Sequence, residues 1–247
     1  MRGLAIVQAV ADGARDLREI CVRIGVARST THRLASSLVQ ERYLRVVAGV
    51  GYALGPKLIE LGFQAREAFP LAALARPHLH GLAELTGDTI HLAVRDGDEV
   101  LYLEKIPGKK GLEMRSRVGH RMPLAATGVG KALLLDLDES DWRRLQRVGA
   151  PVSPRAAGAG QGWEAFRDRM RDYAAHGYAY DLEDNEPSIR CVAAPIRDAG
   201  GAIVAALSVS STVPYLSLER MGELTPTVKQ VAAAISAELG WRPATRA

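Results

Sequence analysis

Apolar residues along this chain recur at two different spacings, and the change between them divides it. In residues 17–24, Leu17, Ile20, Cys21 and Ile24 fall on one helical face, and Gly25 follows as a stop signal. A second stripe, Leu34, Leu38 and Val39, predicts another helix, which Ser29 caps or opens. Two short amphipathic helices joined by a glycine turn read as a helix-turn-helix. Residues 43–47 and 52–54 then flank Gly49-Val50-Gly51 and read as a β-hairpin, which makes the unit winged. Residues 56–68 predict a linker helix, with Pro56 in its first turn and Pro70 just past its end. Leu58, Ile59, Leu61 and Phe63 supply its apolar face.

Beyond residue 70 the pattern alternates between periods. An amphipathic helix is expected over 71–86, with Pro77 kinking its start. Strands follow at 89–94 and 100–106 around Asp96-Gly97-Asp98, a strong hairpin signal, and 112–118 can add a third. Thr127-Gly128-Val129-Gly130 leads into a helix over 131–137, and Asp138 or Ser140 starts the next. The Gly/Ala/Pro-rich stretch 149–162 reads as a flexible surface loop. A helix over 163–176 closes at Gly177, strands at 191–197 and 202–210 are joined by Asp198 to Gly201, and a helix over 218–239 finishes the domain. Antiparallel hairpins flanked by helices give an α+β fold. The expected division is 1–55 for the winged helix-turn-helix, 56–69 for the linker helix and 70–247 for the second domain.

Charge sharpens the picture. The 247 residues, 47% hydrophobic, can bury one large or two moderate cores, and the net charge is +4. Residues 1–57 hold nine Lys or Arg against four Asp or Glu, an excess of +5, so the remaining 190 sum to −1. The basic character therefore sits in the first quarter. There the second helix opens with Arg28, Ser29, Thr30, Thr31, His32 and Arg33, hydroxyl and basic groups without a carboxylate. Arginine grips guanine edges or phosphates, and serine and threonine reach phosphates or bases. Double-stranded DNA is the partner this pattern predicts. Cys21 and Cys191 fall in different expected domains, so a disulfide is not expected and a reducing cytoplasm is the expected location. No apolar run is long enough for a bilayer and no signal-peptide pattern opens the chain, so no membrane partner is expected.

At RSTTHRLASSLVQERYL, YALGPKLIELG, HLAVRDGDEVLYLEKIPG, PLAATGVGKALL and YDLEDNEPSIRCVAAPIRDAGGAIVAALSVS the chain resembles the IclR family of bacterial transcription regulators. The resemblance covers nearly the whole length. It implies a winged helix-turn-helix followed by a GAF/PAS-like effector-binding domain. It also implies operator binding as a homodimer or homotetramer, modulated by a small organic acid. Two positions depart from the family's habit: Thr31 replaces a commoner aliphatic residue, and Arg42 replaces the usual glycine before the wing. The resemblance assigns the effector to the Thr127-Gly128-Val129 loop, to Asp181, Cys191, Ser208 and Ser210, and to an apolar wall of Met122 and Ile189. Physical chemistry agrees in part. Ser208 and Ser210, two apart on a strand, share a face, and Asp181 needs a donor on the ligand because a bare carboxylate would repel it.

An enzyme is the alternative. Cys191 with His91 or His176 and Asp181 could form a nucleophile, base and orienter, giving a Cys-dependent hydrolase of a small acid. Against it, nothing nearby in sequence forces a reactive thiolate. Gly130-Lys131-Ala132 lacks the spacing of a phosphate loop, and neither the histidines, His78 and His80 included, nor the cysteines have metal-ligand spacing. No catalytic residue, metal or cofactor is expected.

Overall fold

The computed structural model describes residues 2–67, 70–110, 114–148 and 162–242. Two compact units emerge, Met1–Phe69 and Pro70–Ala247. The first contains α1 (Arg2–Ala11), α2 (Leu17–Ile24), α3 (Arg28–Gln40), β1 (Leu44–Val47), β2 (Gly51–Leu54) and α4 (Pro56–Glu67). Its core gathers Ile6, Ala9 and Val10 of α1, Ile20 of α2, Ala35 of α3 and Leu44 of β1. The turn before α2 is fixed from both sides. Asp16 accepts from the Glu19 amide at 2.8 Å, and the Glu19 carboxylate reaches back to the Arg15 amide at 2.6 Å, a variant of the capping box. Gly25 ends α2 in the left-handed conformation. Ser29 does not cap α3. That helix starts one residue earlier, with Ala27 at its N-cap and no side-chain bond there.

Both departures from the family pattern have a physical reading. Thr31 is fully buried, and its hydroxyl donates to the Val26 and Ala27 carbonyls at 3.3 and 3.1 Å. The site that usually holds an aliphatic side chain therefore stays satisfied. Arg42 takes a φ of 63°, where a side chain is strained and glycine is not. Its exposed ion pair with Glu60 at 3.2 Å offsets little of this. Arg42→Gly is therefore expected to stabilise the first unit by about 0.5–1 kcal/mol, the difference between the left-handed penalty and glycine's entropy. Chemical denaturation of the two proteins checks it, and an equal or lower midpoint for the variant contradicts it.

The second unit is built on one six-stranded antiparallel sheet. In chain order it runs α5 (Pro70–Thr86), β3 (Thr89–Asp96), β4 (Glu99–Ile106), β5 (Arg121–Pro123), α6 (Gly128–Leu133), α7 (Glu139–Val148), α8 (Trp163–His176), β6 (Ala179–Leu182), β7 (Ile189–Arg197), β8 (Ile203–Thr212) and α9 (Leu218–Glu238). The strand order is β5-β4-β3-β8-β7-β6. Alternation along the strands splits the core in two. One face buries Ile90, Leu92, Val192, Leu207 and Val209 against α5 and α9. The other buries Ala93, Tyr102, Ala193 and Ala206 against α6, α7 and α8.

Several expectations need correcting. α5 begins at Pro70, one residue before its expected start, and includes Pro77. Residues 114–118 form no strand, and Leu112 and Glu113 lie outside the described residues. The strand beside β4 is Arg121–Pro123, with Met122 opposite Val100. The cause is a rival set of bonds. Lys105 donates to the carbonyls of Met114 and Ser116 at 2.6 and 2.8 Å, and Gly119 donates to Tyr102. That segment's polar groups are thereby partly committed elsewhere. α6 begins at Gly128 rather than after it, because Thr127 accepts from the Gly130 amide at 3.0 Å. β6 was not expected at all. The loop reading of 149–162 falls, apart from Gly162, outside the described residues.

Candidate functional site

On α3 the exposed face carries Arg28, Ser29, His32 and Arg33, with Thr30 half-buried. Arg28 and His32, like Ser29 and Arg33, are one helical turn apart, so these groups form one continuous polar surface. Ser36, Ser37 and Gln40 extend it, and the helix contains no acidic residue. Thr31 must be withdrawn from the set, since its burial and inward hydroxyl leave it nothing to offer DNA. Arg45, exposed on β1, was overlooked by the sequence reading. Its position on a wing strand was the available signal.

In the second unit, register places polar groups from separate strands side by side. Asp181 on β6 lies opposite Cys191 on β7, and Cys191 lies opposite Ser210 on β8. One row along, Ser208 lies opposite His91 on β3. Above this floor is a cavity of about 790 Å³. All eight residues anticipated for the effector line it: Met122, Gly128, Val129, Asp181, Ile189, Cys191, Ser208 and Ser210. Val129 has a second role, as it also belongs to the packed layer under α6. His91, Tyr102 and Ser116 line the cavity too, as does Asn185, whose Oδ1 is buried without a partner. From sequence alone, His91 stands out only as a candidate catalytic base. Its cross-strand pairing with Ser208 could be seen only once register was known.

Burial governs the chemistry here. It lifts the Asp181 carboxyl to about 6, helped by the Asp184 charge and opposed by Lys131. The Cys191 thiol is pushed up to about 12 by burial and by Asp181. An activated nucleophile needs the opposite shift, so the hydrolase reading finds no support. Burial, with the nearby Lys105 charge, pushes the His91 imidazole down to about 3, so the ring is neutral. Gly128 is required by contact. A Cβ there would lie 2.2 Å from the Cys191 sulfur.

Beside the cavity sits a charge cluster that the sequence reading missed. Lys131, 1% exposed, reaches the Asp184 carboxylate and donates to the Tyr180 carbonyl at 3.1 Å. Arg169 approaches the same carboxylate at 3.2 Å. Burial works to raise the Asp184 carboxyl, but Lys131 and Arg169 outweigh it and hold it below its ordinary value. The Asp184 amide donates to Asp181 at 2.8 Å, which ties this cluster to the cavity wall. Among the described residues no group of three or more His, Cys, Asp or Glu side chains could hold a metal ion.

Comparison with known proteins decides the family. The C-terminal domain of the bacterial transcriptional regulator IclR matches residues 63–237, and the IclR helix-turn-helix domain matches residues 1–48. The chain belongs to the IclR family. It is a transcriptional regulator with a helix-turn-helix DNA-binding domain followed by an effector-binding domain. Among its relatives is the HTH-type transcriptional regulator XynR of Escherichia coli K12, 31% identical over 243 residues, covering 97% of this chain and 96% of the relative. The crystal structure of Thermotoga maritima IclR superposes with a TM-score of 0.78 at 26% identity, covering 97% and 98% of the two chains. An IclR homologue from Microbacterium hydrocarbonoxydans, solved with 4-hydroxybenzoate, superposes with a TM-score of 0.80 at 25% identity, covering 96% and 98%.

Proposed function

We propose that this IclR-family regulator binds double-stranded operator DNA through α3 and releases or retains it according to a small organic acid held in the second-unit cavity. The observation that carries the ligand half is the cavity itself, where groups from β5, α6, β6, β7 and β8 converge. The acid's carboxylate meets the Ser208 and Ser210 hydroxyls and the Thr127-Gly128-Val129 turn, and Asp181 takes a donor elsewhere on the ligand. The complex of a family member with 4-hydroxybenzoate supports that class of ligand. The protein acts by binding and not by turnover, with no cofactor, in the cytoplasm. Among the described residues no helix is long and apolar enough to cross a membrane. The test is calorimetry on acids that raise the melting temperature in a screen, since a ligand specific to the native state stabilises it. The Ser208→Ala/Ser210→Ala protein should lose such binding yet keep its operator. Full affinity in that protein would place the site elsewhere.

For the DNA half, Arg28, Ser29, Thr30, His32 and Arg33 enter the major groove, with Arg45 on the flanking phosphates. An operator can be obtained by selection from random duplex DNA. Arg33→Ala should cost about 1–3 kcal/mol and relax specificity if it reads a base, and should weaken all sequences evenly if it holds phosphate. Unchanged binding in both Arg28→Ala and Arg33→Ala would refute this placement.

The working division is 1–55 for DNA, 56–69 for the linker helix and 70–247 for the effector. One winged unit makes too few base contacts for ordinary specificity, so paired half-sites and a homodimer or homotetramer are proposed. Ile59 and Phe63 on α4 are 63% and 60% exposed, which supports this helix as part of the surface that meets a second copy. Light scattering at micromolar concentration should show a dimer or larger, and Ile59→Glu/Phe63→Glu should dissociate it. A monomer with and without DNA contradicts the proposal.

A further inference from the structure

Resting on that reading of the cavity, we infer that His91 is the positioning residue that makes the site favour an acceptor-only head group, a carboxylate, over an amide. The geometry supplies the reason. The His91 Nε2 lies 2.7 Å from the Ser116 hydroxyl, and its Nδ1 lies 3.5 and 3.4 Å from the Ser208 and Ser210 oxygens. The two serine oxygens are 3.4 Å apart. A neutral imidazole has one N–H and one lone pair, so only two arrangements of protons fit. We assign the proton to Nδ1, which faces both serine oxygens and lets one N–H be shared between them, as in three-centre bonds. Ser116 then donates to Nε2 at a distance suited to a strong bond.

The consequence falls on the serines. A hydroxyl alone is adaptable, giving or taking a hydrogen bond as the ligand requires. With one lone pair of each oxygen held by Nδ1–H, each serine proton is left to point into the cavity as a donor. Two donors side by side suit the two acceptor oxygens of a carboxylate. An amide offers the pair only one acceptor oxygen, and its NH2 is accommodated only if a serine proton turns away. The ring's neutrality keeps this arrangement fixed, because a protonated imidazole would have no lone pair for Ser116. Lys105 of β4 holds the Ser116 carbonyl at 2.8 Å, so the segment at the far end of the relay is anchored to the sheet.

The experiment uses the full chain, 15N-labelled, with sodium acetate and acetamide as probes. Long-range 1H–15N NMR of the histidine rings should find the His91 signal, identified by its absence in His91→Phe, with Nδ1 protonated and Nε2 bare. Acetate should bind roughly tenfold more tightly than acetamide, the gain of a charge-assisted pair of bonds. In His91→Phe, which keeps a ring beside Tyr102, that ratio should fall, because the serines are then free to accept from an amide, and His91→Gln, with a donor and an acceptor, should restore part of it. The opposite tautomer in the wild-type protein overturns the inference, whether or not the variants fold. An unchanged ratio in His91→Phe, while Ser208→Ala/Ser210→Ala abolishes acetate binding, leaves the acid site standing and reduces His91 to packing. Acetate binding untouched by the serine changes removes the site reading itself, and His91's role with it.

Discussion

Lys131→Met should destabilise the second unit by about 3–5 kcal/mol, the cost of leaving one member of a buried ion pair behind. The side chains are of similar length, so little packing is lost. What is lost is the ammonium that meets the Asp184 carboxylate and the Tyr180 carbonyl in a place water does not reach. Arg169 remains near Asp184, which puts the expected loss toward the lower end of the range. Adding Asp184→Leu should recover part of the loss, since removing both partners is far less costly than removing one. Recovery should be incomplete, because Arg169 then lacks its carboxylate. Urea unfolding of the two single variants and the double variant gives the coupling directly. A loss under 1 kcal/mol for Lys131→Met would mean that the cluster is hydrated and contributes little. The variant has a functional corollary. The Asp184 amide holds Asp181, so a loosened cluster should also weaken ligand binding without touching α3.

How far the sequence revealed this arrangement differs between the two units. In the first, the periods of α2 and α3, the Gly25 stop and the glycine-rich hairpin are local signals that the sequence displays, whereas α1, which brings Ile6, Ala9 and Val10 to the core, was not expected. The misreading of Thr31 shows the limit of locality. A threonine beside basic residues looks like a DNA contact, and only the helix's rotation against Ile20 and Leu44 turns it inward. In the second unit the strands of both long hairpins were legible, but β6 was not, because four residues before an acidic loop carry too short an alternation. β5 was misplaced because Lys105 competes for the preceding segment. The eight effector residues came from family resemblance, and their convergence depends on strand order, which no local signal encodes. His91 and Lys131 are the instructive omissions. Each is a polar residue whose role is set by a partner far along the chain, Ser208 for one and Asp184 for the other.

Asp181→Asn should raise stability at neutral pH while impairing the effector response. The Asp181 carboxyl is lifted from its ordinary 3.8 to about 6, chiefly by burial. Folding therefore favours the protonated form. Below the unfolded value both states hold the proton and no penalty exists. As pH rises through the window from 3.8 to about 6 the unfolded chain releases its proton first, and stability falls. Above about 6 the full penalty stands, about 3 kcal/mol from the size of the shift. Asparagine keeps an oxygen to accept from the Asp184 amide but carries no charge to bury. Many exposed carboxylates titrate in the same window, so the informative quantity is the difference between variant and wild type. Urea unfolding should show a gap of about 3 kcal/mol in favour of the variant at slightly alkaline pH, closing toward pH 4. A gap of the same size at both ends would mean that charge is not the cause. Retaining a costly carboxylate makes sense if a ligand donor needs it. In operator-release assays the variant should bind DNA normally and require at least about tenfold more of any hydroxylated acid that acts on the wild type, the loss of one hydrogen bond to a charged acceptor. An undiminished response would leave Asp181 a cost without a purpose, and the donor-reading role assigned to it would have to be abandoned.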